Sequence, residues 1–192
     1  TITDYLNKYG RSNVESFIEQ LLLGITYLHE QKPEIWHRDI KPDNILMKMD
    51  SKAPGGAIVK IIDFGISKQV EGEKANKSTD TIGTPMYMAP ELLAMNGNLT
   101  SKMDVWSFGA VVYELLTGKS LINGSSTTDI VIHNVLNEDF SKKINEIPSE
   151  YEKFKSLFTK ALSRKVESRP TAAELYKDFF ISGATVTKRG AT

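Results

Sequence analysis

The sequence predicts a mainly α-helical lobe that carries one short β-hairpin. Three observations predict it. Apolar residues return at helical spacing along most of the chain. One pair of short β-prone runs faces itself across a turn. The run "DVWSFGAVVYELLTG", Asp104 to Gly118, is apolar on nearly all sides, which marks a helix through the middle of a core.

The elements follow in order. Thr3 is placed to cap a short helix that stops at Gly10. Ser12 and Glu15 have capping-box spacing. Behind them Val14, Phe17, Ile18, Leu21, Ile25 and Leu28 line one face of a helix running to about Glu30, punctuated by Pro33. Ile45 to Met49 and Ile58 to Ile62 read as two strands around the "DSKAPGG" turn. From Gly65 to Glu91 the chain is polar and irregular, and a loop that long inside a domain is usually functional. Gly118 ends the core helix; Ile130 to Leu136 and Tyr151 to Leu162 are further helices. Thr171 and Glu174 form a second capping box after Pro170, opening a last helix to about Phe179. With roughly six helices in all, residues 1–180 read as one lobe and 181–192 as a small, polar, flexible tail.

The bulk numbers narrow the function classes. The chain has 192 residues, 40% hydrophobic and 25% charged, which suits one domain or a large piece of a bigger one. Lys plus Arg equals Asp plus Glu at 24 each, so net charge argues for no nucleic-acid and no membrane partner. The absence of cysteine excludes disulfides and thiolate zinc sites and suits a reducing compartment. No apolar run is long enough to cross a bilayer, and the first residues carry no signal pattern. Asn76, Asn98 and Asn123 begin glycosylation sequons, read as chance matches.

The chemistry concentrates in "HRDIKPDN", His37 to Asn44, and in "DFG" at Asp63 to Gly65. Transfer of a phosphoryl group to an alcohol needs positioning and charge neutralisation more than covalent help. It needs a carboxylate to orient the alcohol and take its proton, and a cation near the moving phosphate. It also needs hard oxygen ligands for Mg2+. Asp39 supplies the carboxylate, Lys41 the cation, and Asn44 and Asp63 the metal ligands. The hairpin between them folds the chain back, which should bring Asn44 close to Asp63.

"HRDIKPDN", "DFG", "GTPMYMAPE" at Gly83 to Glu91 and "DVWSFG" at Asp104 to Gly109 occur in the order found in eukaryotic protein kinases. The chain from Thr1 to about Phe180 resembles their C-terminal lobe. Lys41-Pro42 and Thr84-Pro85 are similar to the serine/threonine pattern, and "GITYLHE", "SFGAVVYELLTG" and "RPTAAEL" resemble the Nek-like or Ste-like groups. The resemblance implies ATP and Mg2+ as cofactors and a protein substrate with a Ser/Thr acceptor, in the cytoplasm or nucleus. It implies that Thr84 bonds both Asp39 and Lys41, and that Lys41, Asn44, Leu46 and Asp63 hold the nucleotide, with Leu46 as a floor under adenine. His37 would stack on Phe64 in a buried contact. Arg38 would clamp a phosphate on the loop, whose candidate sites are Ser78, Thr79 and Thr81; a solvated Ser/Thr-rich loop is the plain alternative. Glu91 and Arg169 would form a buried ion pair, and Asp104 would anchor the backbone around His37 and Arg38. Val111, Leu115 and Leu46 read as core. Ile66 would favour threonine acceptors, and Asp43 a basic residue in the substrate.

Other motifs are set aside. "GKS" at Gly118 to Ser120 follows a helix, with Tyr113 where a P-loop glycine belongs. "AIVK" at Ala57 to Lys60 falls after the catalytic loop, and His29 and His37 lack partners at zinc-ligand spacing. No G-x-G-x-x-G is present. The expectation is therefore a lobe whose N-terminal β-lobe is absent, with its facing surface left for that lobe or a partner. Two readings stay open: the C-lobe portion of a serine/threonine kinase, inactive alone, or a catalytically silent lobe that binds substrates or partners.

Overall fold

Thr1 starts the first helix, α1 (Ile2–Tyr9), by a reciprocal capping box with Asp4; its hydroxyl accepts from the Asp4 N–H at 3.3 Å. The cap is therefore Thr1, two residues before the Thr3 expected. The computed structural model describes residues 1–64, 84–94, 99–123 and 127–182, and the backbone of 68–70. Helix α2 (Val14–His29) buries Val14, Phe17, Ile18, Leu21, Leu22, Ile25 and Leu28, the face its spacing predicts. The expected Ser12–Glu15 capping box does not form: Asn13 takes the cap position and makes no side-chain cap bond.

After α2 come β1 (Glu34–Trp36), β2 (Ile45–Met49) and β3 (Ala57–Ile61). Strands β2 and β3 pair antiparallel, Ile45 opposite Ile61, as the hairpin pattern predicts. Gln20 on α2 fastens this hairpin. Its amide donates to Pro54 O and Ala57 O, both at 3.1 Å, and its oxygen accepts from the Val59 N–H at 3.0 Å. Gly55, at the turn, has φ 73°, and a Cβ there would meet Phe17 Cε1 at 2.9 Å. The turn packs that closely on α2.

A second antiparallel pair was not anticipated. Strand β4 (Lys68–Val70) returns beside β1, with Trp36 opposite Lys68. Next come a 3-10 turn at Pro85–Tyr87 and the short helix α3 (Pro90–Leu93).

Helix α4 (Lys102–Thr117) is the central spine. Its residues from Met103 to Tyr113 are all buried, as are Leu115 and Leu116, and Gly118 ends it in the left-handed conformation. Gly109 lets α7 (Lys155–Ala161) approach: a Cβ would meet Leu162 Cδ2 at 3.0 Å and Ala161 Cβ at 3.1 Å. Around the spine lie α5 (Thr128–Asn137) and α6 (Ser141–Asn145), the latter not expected from the sequence. The expected start of a helix at Tyr151 is instead a 3-10 segment, Ser149–Phe154, leading into α7. Helix α8 (Ala172–Tyr176) opens with the predicted Thr171–Glu174 box and packs on α2; beyond it the chain widens into π turns, Lys177–Ser182. The expected tail 181–192 lies outside the described residues beyond 182.

Candidate active site

Backbone strain marks the site first. Among the described residues other than glycine, Arg38 (φ 69°) and Asp63 (φ 63°) alone adopt positive φ. The left-handed form costs an L-residue about 1–2 kcal/mol, so something must hold it. For Arg38 the holder is Asp104 at the start of α4. Its carboxylate, wholly buried, accepts from the N–H groups of His37 and Arg38, each at 2.8 Å. His29 at the end of α2 also bonds it, through Nε2 at 2.9 Å. The sequence reading placed Asp104 as an anchor and missed His29, which is distant along the chain.

His37 is a structural bridge. Its Nδ1 accepts from the Asp39 N–H at 3.3 Å, so Nε2 carries the proton and donates to Ile62 O at 3.0 Å. The loop is thus tied to the residue before Asp63. Phe64 meets the His37 ring at 5.1 Å, the expected pairing, but edge-on and not stacked. That contact is buried only on the histidine side, since Phe64 is 47% exposed.

The expected cluster assembles on this frame. Asp39 Oδ2 meets Lys41 Nζ at 2.8 Å and Asn44 Nδ2 at 2.9 Å, while Oδ1 takes no hydrogen bond from the described residues. Asn44 Nδ2 also donates to Asp39 O at 2.8 Å. Both amide hydrogens are therefore committed, which leaves the Asn44 carbonyl oxygen for a cation. The Ile62 N–H donates to Asn44 O at 2.9 Å, directly continuing the hairpin ladder. Asp63 follows in sequence, so the fold does bring it close along the backbone to Asn44. Asn44 Oδ1 and the Asp63 carboxylate are hard oxygens of the type Mg2+ prefers, so the residues present fit that ion.

Thr84 departs in detail from expectation. Lys41 Nζ donates to Thr84 Oγ1 at 3.2 Å, so Thr84 reaches Asp39 only through the lysine. Leu46 is 39% exposed on β2 and is not core, whereas Val111 and Leu115 are buried. Glu91 and Arg169 form the expected buried fork, at 2.6 and 3.1 Å. Tyr87 donates to Glu114 Oε2 at 2.8 Å, and burial, followed by that bond, pushes its phenol well above the ordinary range. Asp43 acts on it in the same direction. Ser78, Thr79, Thr81 and Ile66 lie outside the described residues. A separate cleft lined by Phe140, Ile144, Lys155, Phe158 and Arg164 shares no residue with this cluster. No described helix is long and apolar enough to cross a membrane.

Comparison with known proteins identifies the family. The family described as "Protein kinase domain" matches residues 2–181. Calcium-dependent protein kinase 4 of Plasmodium falciparum is 46% identical over 114 residues, 59% of the chain and 20% of that protein. Serine/threonine-protein kinase atg1 of Dictyostelium discoideum is 37% identical over 165 residues, 85% of the chain and 22% of that protein. Serine/threonine-protein kinase STE11 of Saccharomyces cerevisiae is 35% identical over 181 residues, 91% of the chain and 23% of that protein. The chain therefore spans roughly a fifth to a quarter of these relatives' length. With the ordered motifs, the Asp39 cluster and the family match in agreement, the chain belongs to the eukaryotic protein kinase family, of serine/threonine type.

Proposed function

We propose that this lobe is part of a serine/threonine kinase that transfers the ATP γ-phosphoryl group to serine or threonine hydroxyls of protein substrates, and that the 192 residues alone are inactive. The observation that carries the reading is the division of labour on Asp39. Lys41 and Asn44 both hold Oδ2, which orients the carboxylate and leaves Oδ1 to accept the hydroxyl proton. The substrate oxygen then bonds to phosphorus as the bond to the ADP oxygen breaks. Lys41, pinned between Asp39 and Thr84, places its charge beside the group in transit. Asn44 and Asp63 would hold Mg2+, which supplies charge neutralisation on the phosphates when bound. Leu46, half-exposed on β2, offers an apolar floor for the nucleotide base. Arg38, with Ser78, Thr79 or Thr81 as phosphate carriers, is the regulatory arm. Residues 1–180 form the lobe and 181–192 a tail, working in the cytoplasm or nucleus.

The 192 residues contain no glycine-rich phosphate loop, so we expect them to bind ATP weakly alone and to work with a second lobe. In the full-length protein, Asp39→Asn should cut phosphorylation of a Ser/Thr peptide by about 10²–10⁴ while leaving the melting temperature unchanged. Retained activity in that variant would sink the reading. On the 192-residue chain, tight Mg2+-dependent ATP binding that Asp63→Ala abolishes would contradict the need for a second lobe.

A further inference from the structure

The hairpin that starts beside Asn44 and runs on to Asp63 has one edge paired and one edge turned toward α2. Its ladder bonds fall on the even-numbered residues of the returning limb: the Asp50 N–H donates to Gly56 O at 3.1 Å and the Ile62 N–H to Asn44 O at 2.9 Å. In an antiparallel pair the residues between such bonds turn their N–H and C=O groups to the opposite edge. Those residues are Ala57, Val59 and Ile61. Backbone groups withdrawn from water need partners. Gln20 meets two of them and the turn as well. Its amide nitrogen donates to Ala57 O and Pro54 O, both at 3.1 Å, and its oxygen accepts from the Val59 N–H at 3.0 Å. The side-chain amide stands in for a peptide group of a third strand.

Helix α2 meets β3 again further along. Gly24 follows Gln20 by one helical turn on the same face, and a Cβ there would stand 3.1 Å from Ile61 Cδ1. The strand is therefore held to α2 by hydrogen bonds at Ala57 and Val59 and by close packing at Ile61. The next residue, Ile62, ties both halves of the site together. Its N–H bonds Asn44 O, and its carbonyl accepts from His37 Nε2 at 3.0 Å. Asp63 then turns into the left-handed conformation, at φ 63°. A residue that follows so fixed a strand end takes its direction from that strand.

We infer that Gln20 is a positioning residue for the metal pair Asn44 and Asp63. Its hydrogen bonds reach the hairpin backbone between Pro54 and Val59, so it acts through the strand and not on the ion. An apolar side chain at this place would leave two carbonyl oxygens and one N–H short of a partner. Without the amide, β3 is free to shift against α2, and the Ile62–Asn44 bond, the last rung before Asp63, is the one that loosens. Mg2+ demands near-octahedral geometry and tolerates little misplacement of its oxygens. The inference rests on the proposed kinase reading for the identity of the ion, and on the hairpin geometry alone for the hold on the strand.

The test uses Gln20→Met, which keeps the length of the side chain and removes its amide. In the metal-free 192-residue chain, amide hydrogen exchange at Ile62 should quicken about tenfold or more, while exchange at Val111 and Val112 in α4 stays as in the parent. In the full-length protein, the Mg2+ concentration for half-maximal peptide phosphorylation should rise about tenfold or more, with the peptide KM unchanged. Thr171→Ala, at the start of α8, is the control: it should lower the melting temperature and leave the Mg2+ requirement where it was. An Ile62 amide as protected as the parent's overturns the inference. So does exchange that quickens equally in α4, which would make Gln20 a contributor to overall stability alone, and so does an unchanged Mg2+ requirement. If Gln20→Met does not fold, Gln20→Asn, with the same amide on a shorter stem, is read by the same outcomes. The exchange readings need no phosphoryl transfer, so their failure leaves the kinase reading standing. An active Asp39→Asn protein would remove that reading and leave the exchange result in place.

Discussion

Arg169 and Arg38 bury guanidinium nitrogens in the same lobe, and the two are treated oppositely. Arg169 is fully buried and every one of its N–H groups has an acceptor. It forks onto Glu91 at 2.6 and 3.1 Å, bonds Ser163 O from Nε at 3.0 Å and from Nη2 at 2.9 Å, and reaches Lys102 O at 3.0 Å. Its face lies 5.2 Å from the Trp106 ring centre. Arg38 leaves two nitrogens without an acceptor among the described residues, on a backbone bent into a costly conformation. A guanidinium whose valences are all filled from within is a structural clamp. Arg38, left short of acceptors among the described residues on a backbone that Asp104 holds, is the opposite case.

The largest effect should come from breaking the clamp. Arg169→Ala strands the Glu91 carboxylate in the interior, between α3 and the core. Losing one partner of a buried pair costs about 3–5 kcal/mol. Urea denaturation should show an unfolding free energy lower by that amount; a loss under about 1 kcal/mol would mean that water reaches Glu91. Next is Asp104→Asn, which keeps shape but replaces one accepting oxygen by a donating amide. One of the N–H groups of His37, Arg38 or His29 then faces a donor, and an unmet buried group costs about 1–3 kcal/mol. Because that group holds the loop bearing Asp39, activity in the full-length protein should fall more than the stability loss alone accounts for. Arg38→Met is the contrasting case. It removes a charge the interior does not pair, so stability should stay within about 0.5 kcal/mol of the parent. A loss as large as that of Arg169→Ala would erase the distinction.

What the sequence made legible follows the same line. Glu91 with Arg169, and Asp104 with the His37 loop, were readable because ordered motifs name both ends of each contact. Helices α2 and α4 were readable because their apolar spacing runs for several turns. The β1–β4 pair was not: three-residue strands are too short to show alternation, and their partnering is decided by tertiary closure. His29 was invisible as a partner of Asp104 because nothing local couples residues on separate helices. Thr1 and Thr3 are both plausible caps within one turn, and only the Asp4 carboxylate, reaching back to Thr1, settles between them. Leu46 was misread as core because a strand leucine reads as buried unless the covering layer is known.

The smallest effect belongs to the exposed cap of α8, where the same kind of valence-filling is done in water. Thr171 Oγ1 accepts from the Glu174 N–H at 3.2 Å, and the Glu174 carboxylate accepts from the Thr171 N–H at 2.8 Å and from its hydroxyl at 3.0 Å. Those bonds, the backbone one foremost, hold the Glu174 carboxyl below its ordinary value. A carboxylate lowered in the folded state stabilises fully above the unfolded value. That contribution fades as pH falls through the lowered folded value. Thr171→Ala should cost about 1 kcal/mol at neutral pH, with the melting temperature as readout. It should also remove part of the parent's acid sensitivity below the ordinary glutamate range, so the two melting curves converge as pH drops. Solvent screening keeps the pH-dependent part small beside the effects at Arg169 and Asp104. Curves that stay parallel down to the acid limit would mean that Glu174 owes its lowered value to groups other than the cap.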